Sequence, residues 1–224
     1  MLHDPARHEP LREQPWNEAR ARACIARIVD GLEDEFVPGF GWRVHPLDDP
    51  KSPDELSPSL YCGACGVIWS LNYLRAVGAA NPRHREWLGF AQLLDLTRRW
   101  LGEDAERERA AYLMGETPNR MLEHWLQPSG AVDDELAHLI GSNSDHPARE
   151  LMWGAPGTLL AALHLQRHTG QSRWARLFRQ TAQQLKAQMI WSEAQSCWYW
   201  TQDLYGMHVS CLDAVHGFVA TALP

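Results

Sequence analysis

Apolar residues recur at three- and four-residue intervals along most of this chain, the spacing that lines up one face of an α-helix. Between Leu11 and Phe36, Trp16, Ala19, Ile25, Ile28, Val29, Leu32 and Phe36 fall near one face, which predicts an amphipathic helix. From Ala64 to Val77 the apolar positions run nearly all round, the pattern of a helix buried on every side. Arg83 to Leu101 is amphipathic again, with Trp87, Phe90, Leu93, Leu94, Leu96 and Trp100 on one side. Ala105 to Met114 predicts a shorter helix. Met121, Leu122, Trp125 and Leu126 form a short inner run, and Val132 to Ile140 a short outer one. Leu159 to His168 is apolar and stops at Gly170. Ser172 is placed to cap the next helix, Trp174 to Met189. Trp191 to Tyr205 fits a short hairpin or an irregular loop, and Ala214 to Leu223 starts a last apolar helix.

Two features organise this series. Buried and solvated helices alternate, and short glycine turns precede the buried ones: Cys62-Gly-Ala-Cys-Gly66, Gly115-Glu-Thr117, Gly154-Ala-Pro-Gly157 and His216-Gly-Phe218. A repeated turn-plus-helix unit is the mark of an array of helical hairpins. Two concentric layers satisfy the alternation, which predicts an all-α fold, an α/α toroid, here incomplete. Its turns would gather at one end, where a site would form. Long period-two alternation is absent, which excludes a strand-rich fold. Residues 37–59 hold Pro38, Gly39, Gly41, Pro46, Pro50, Pro53 and Pro58, too many breakers for regular structure. The expected division is therefore residues 1–59, an N-terminal helix and Pro-rich loop, and residues 60–224, the helical array.

Composition narrows the function. The formal net charge is -7 and the pI about 5.9, with no dominant basic patch, which argues against a nucleic-acid partner. No apolar run reaches the ~20 residues that span a membrane, and the N-terminus lacks a signal-peptide core. Five cysteines are an odd number, unlike a secreted disulfide framework, so the expected setting is cytoplasmic. Eleven tryptophans point to a broad core or an aromatic-lined cavity.

Several residue pairs have chemical potential. Cys62 and Cys65 have the spacing of half a zinc site or a redox pair, with Cys197, Cys211 and His216 as conceivable further ligands; the plainer reading is small apolar filler in a turn. Cys211 and His216 suggest a thiol–imidazole nucleophile pair. His164 and His168, four apart on one helix, could hold a metal or simply sit at its outer end. A sugar hydrolase would need two carboxylates, for which Glu150 and Asp213 can be proposed, although no sugar-enzyme motif supports them.

The quoted turns carry a resemblance. Leu60-Tyr-Cys-Gly-Ala-Cys-Gly-Val-Ile-Trp-Ser-Leu71, Gly115-Glu-Thr117, Glu150-Leu-Met-Trp-Gly-Ala-Pro-Gly157, Trp200-Thr-Gln-Asp-Leu-Tyr-Gly206 and Ala214-Val-His-Gly-Phe218 resemble, in order and spacing, the lanthionine synthetase C-like (lantibiotic cyclase) family from Leu60 onward. The resemblance implies a toroid of helical hairpins around a cavity. It implies a zinc ion that activates a thiol, which adds to a dehydrated Ser or Thr of a peptide. The partners implied are a peptide and a peptide cysteine, or a small thiol such as glutathione. His216 matches the proton-transfer histidine and Glu150 the acidic residue paired with it.

Three departures stand beside the resemblance. The family's zinc ligands, a Cys in a Trp-Cys-x-Gly motif and a Cys-His pair, lie beyond the His-Gly turn and are not found before Pro224. Ala220 replaces the final glycine of the last turn, and Pro118 that of the second. A last inner helix of about two turns leaves its neighbours uncovered, which predicts a fragment of a longer protein. Two other functions fit the same pattern: a six-hairpin glycosidase or epimerase, and a non-catalytic peptide-binding module.

Overall fold

In the computed structural model, which describes residues 13–48, 50, 52–84 and 87–222, the chain is mostly helical with two small hairpins. The first helix, α1 (Glu18–Asp34), starts where the Asn17 side chain accepts the Arg20 N–H at 2.9 Å. The predicted start at Leu11 lies outside the described residues. The apolar stripe of α1 is narrower than expected: Ile25, Val29, Leu32 and Phe36 pack inward, whereas Trp16 and Ile28 face solvent. The Pro-rich segment holds two isolated bridges, Val37 to Gly41 and Arg43 to Leu56, and a 3₁₀ turn over Pro46–Asp48.

Six further helices follow: α2 (Ala64–Ala76), α3 (Phe90–Leu101), the short α4 (Ala105–Glu108), α5 (Thr117–Leu126), α6 (Gly130–Ser142) and α7 (Ala155–Thr169). Helix α3 is about two thirds of the length its pattern predicts; Arg85 and Glu86, in the predicted first half, lie outside the described residues. Gly170 ends α7 in the left-handed region, φ 69°, as expected. Helix α8 (Ser172–Ala187) is not capped by Ser172: Gln171 holds the cap position, without a side-chain bond, and Ser172 is already helical.

Strands β1 (Ile190–Ser192) and β2 (Cys197–Tyr199) form one antiparallel hairpin, and β3 (Gln202–Leu204) and β4 (Met207–Val209) a second. These add strand content that an all-α expectation leaves out. Helix α9 (Phe218–Ala222) closes the described series.

The core has a front and a back half. Val29, Trp42, Ile68, Leu71, Leu93 and Leu122 join α1, α2, α3 and α5. Leu136, Ile140, Ala162, Leu165 and Trp174 join α6, α7 and α8. Helix α2 departs from its prediction: Ile68 and Leu71 are buried, but Trp69, Tyr73 and Val77 are exposed along one apolar side. That side lines an open cleft shared with α5 and α7.

The glycine turns share one geometry. A Cβ on Gly63, Gly66, Gly115, Gly157 or Gly217 would collide with the carbonyl oxygen of the residue six places earlier. In each, the approach to the helix folds back against the helix start so closely that only glycine fits. The turns also bond to one another. Leu60 and Tyr61 donate to the Leu113 carbonyl at 3.0 and 3.3 Å. Leu113 donates to the Met152 carbonyl at 3.3 Å, and Leu151 to the Val215 carbonyl at 3.1 Å. The four turns therefore form one hydrogen-bonded row at the N-terminal ends of α2, α5, α7 and α9.

Candidate active site

The bond between the third and fourth turns brings Glu150 and His216 together across 66 residues. Arg149, just before Glu150, sits at φ 46°, an uncommon backbone for a long side chain. Its guanidinium holds that bend by donating to the Thr201 carbonyl at 2.9 Å and to Gln188 Oε1 at 3.0 Å. Its carbonyl accepts the Thr221 hydroxyl at 2.6 Å, tying the third turn to α9. Glu150 then points inward, with no exposed surface.

A buried carboxylate needs donors. Glu150 has three: the N–H of Met152 at 2.9 Å, the N–H of Trp153 at 2.6 Å and Nδ1 of His216 at 2.8 Å. Because both oxygens act as acceptors, the imidazole proton belongs on Nδ1, which leaves Nε2 as the reactive nitrogen. His216 keeps about a third of its side chain exposed, so Nε2 is reachable. Nε2 makes no hydrogen bond among the described residues.

Asp213 fixes the backbone that carries the ring. Its Oδ1 accepts the N–H of Val215 at 2.8 Å and of His216 at 2.6 Å. Those two backbone donors hold the Asp213 carboxyl below its usual range. Tyr205 completes the surround, its ring edge-on to His216 with centroids 6.1 Å apart. Tyr205 and Gly206 both have positive φ, 52° and 76°, so they form the tight turn of the β3–β4 hairpin. The Trp153 indole N–H donates to the Tyr205 hydroxyl at 3.3 Å.

Glu150 and His216 are the pair expected from the sequence. Tyr205 and Trp153 are not, although both lie inside the quoted motifs. Tyr205-Gly206 is a readable turn signal, but only the folded hairpin shows which ring it delivers.

The other candidates part ways. Of Glu150 and Asp213, Glu150 has no exposed surface, whereas Asp213 is exposed and uses only Oδ1 in its own turn. Cys65 is completely buried, which pushes its thiol up. Cys62 is exposed, with its Sγ 3.5 Å from the hydroxyls of Ser57 and Ser59. All five cysteines are free. Cys211 uses its backbone, not its thiol, beside His216: its N–H donates to Gln202 Oε1 at 3.0 Å, and its carbonyl accepts from Phe218 at 2.8 Å. His164 and His168 open into the cleft, where the His168 ring meets His124 edge-on at 5.9 Å.

Among the described residues no three His, Cys, Asp or Glu side chains converge to hold a metal. Glu150 in particular has its oxygens filled. No described helix is long and apolar enough to cross a membrane. No family model matches the chain, and no curated protein or solved structure matches it either.

Proposed function

We propose that this chain is a lanthionine synthetase C-like protein with an α/α toroid, and that its site serves addition of a thiol to a dehydrated Ser or Thr in a peptide. The observation that carries the reading is the buried Glu150–His216 pair with Nε2 of His216 exposed. The row of bonded glycine turns supports the toroid, because it sets α2, α5, α7 and α9 side by side with their N-termini at one end. Free cysteines suit the cytoplasmic setting that belongs to this reading.

The step assigned to the described residues is proton transfer. A thiolate, from a peptide cysteine or glutathione, attacks the β-carbon of the dehydrated residue. The carbon–carbon π pair moves toward the carbonyl and gives an enolate. The Nε2–H of His216 delivers a proton to the α-carbon, and the enolate collapses to the amide. Glu150 orients the ring and balances the imidazolium before transfer. Zinc, which the resemblance implies for thiol activation, has no ligand set among the described residues, and no step here runs through it.

The test is a dehydroalanine peptide with glutathione, its thioether product counted by mass spectrometry. Product from the native chain and a loss of roughly 100-fold or more in His216→Asn is the expected result. Equal rates for both would end the proton-transfer role. A second reading, peptide binding without catalysis, is favoured by the open apolar cleft beside α2. It predicts saturable peptide binding, no product, and no change with His216→Asn.

A further inference from the structure

A second site lies away from His216, in the cleft between α2, α5 and α7, a cavity of ≈ 710 Å³. That volume falls inside the usual range for small-molecule pockets, roughly 300–1,000 Å³. Trp69 and Tyr73 form its platform, their rings stacked at 5.4 Å and 9° from parallel. Trp125 leans on Trp69 with centroids 6.4 Å apart. Both members of the platform are exposed, Trp69 at 44% and Tyr73 at 47%, so the aromatic faces are open to an occupant.

The polar part of the cavity is narrow in chemistry. It consists of three imidazoles, His124, His164 and His168, the thiol of Cys65 and the phenols of Tyr73 and Tyr112. Burial raises the Cys65 thiol and the Tyr112 phenol, so neither carries charge near neutral pH. No Asp, Glu, Lys or Arg stands among the described lining residues. The three imidazoles are therefore the basic groups among the described lining residues.

His124 is the fixed member. It is 6% exposed, and its Nδ1 stands 2.8 Å from Asp133 Oδ1. Asp133 is held in turn by Gln171, whose Nε2 donates to Oδ2 at 3.1 Å. The groups facing His124 are thus Asp133 from α6 and His168 from α7. The two atoms are close but not aligned as a hydrogen bond; packing holds the ring with Nδ1 toward Asp133, and Nε2 is the nitrogen left for the cavity. An imidazole N–H turned into the cavity is a hydrogen-bond donor for an anion.

From this geometry we infer that the cleft binds an amphiphile with an aromatic or aliphatic body and one carboxylate, the body on Trp69, Tyr73 and Trp125 and the carboxylate on Nε2 of His124. This site is independent of the Glu150–His216 chemistry.

The experiment is calorimetric titration of the whole chain with a matched pair, naphthylacetate and its neutral amide naphthylacetamide. At about pH 6 the acid binds roughly tenfold tighter, the scale of one charge-assisted hydrogen bond. His124→Gln removes the acid's advantage and leaves the amide's affinity unchanged, whereas Trp69→Ala weakens both. Equal affinities at pH 6 overturn the inference, as does absence of saturable binding of either compound. Should His124→Gln fail to fold, the acid-to-amide affinity ratio of the native chain decides alone.

Discussion

Glu116 and Glu150 are both completely buried carboxylates set beside a glycine turn. Glu116 follows Gly115 directly; Glu150 stands four residues before Gly154. Their partners differ. Arg98 clasps Glu116 with two bonds, at 2.8 and 3.1 Å, and Arg109 adds a third at 3.0 Å. Glu150 takes two backbone N–H groups and one imidazole. Guanidinium never gives up its charge in a protein, so nothing around Glu116 can exchange a proton near neutral pH. Imidazole does exchange one, and it has a second nitrogen facing outward. The same buried acid is a clamp in one turn and, in the proposed function, the partner of a proton-transferring imidazole in the next. Partner type decides which, and burial does not.

The comparison requires the two turns to keep their positions, and Gly157 is where they touch. An added Cβ there would meet the Leu151 carbonyl and stand 2.6 Å from the Tyr112 side chain of the neighbouring turn. Gly157→Ala is therefore expected to cost about 4 kcal/mol or more in urea unfolding, the range of a strained, overpacked position. Gly31→Ala is the control, because nothing lies within 4 Å of its added Cβ in α1. It should be neutral or stabilise by up to ~1 kcal/mol. Equal effects of the two would remove the packing argument for the turns.

Removing each acid separates the roles. Glu116→Ala should cost roughly 3 kcal/mol, since a buried charge cluster loses the one carboxylate that, among the described residues, touches both Arg98 and Arg109. The figure stays at the low end because Arg98 is half exposed and can turn to water. Thioether formation by the surviving folded protein should be unchanged. Glu150→Gln should show the opposite balance. Stability falls by only about 1–2 kcal/mol, because the amide oxygen still accepts one backbone N–H. Thiol addition falls roughly 10–100-fold, the usual cost of losing a group that orients a functional imidazole. A Glu116→Ala protein with the larger catalytic defect would reverse the assignment.

Much of this was legible before the structure. Helix existence followed from spacing wherever the apolar stripe was continuous, as in α5 to α8. The Glu150–His216 pair followed from motif context. What stayed hidden has physical reasons. Helix α2 reads as buried all round because Trp69 and Tyr73 are apolar, yet those rings face an open cleft, and composition cannot distinguish an enclosed wall from an exposed one. Tyr205 and Trp153 reach the site through a hairpin of three-residue strands, too short for period-two alternation to show. The bend at Arg149 leaves no residue signal, because its left-handed backbone is imposed by Thr201 and Gln188, which are far away in sequence.

The smallest expected effect is a change in slope with pH. Burial alone would raise the Glu116 carboxyl, but Arg98 and Arg109 outweigh burial and hold it below its ordinary 4.5. A carboxyl depressed in the folded state stabilises the fold above the unfolded value, and that contribution is lost as pH falls through the folded value. Native stability should therefore decline below about pH 4.5, and Glu116→Gln should decline less steeply over the same range. Its limb does not become flat, because Glu33, Glu108 and Asp213 are also held low by their partners. The measurement is urea unfolding of both proteins at several pH values from about 6 down to 3. Parallel curves would mean that Glu116 is no more strongly held in the fold than in the unfolded chain, and the contrast with Glu150 would lose its electrostatic basis.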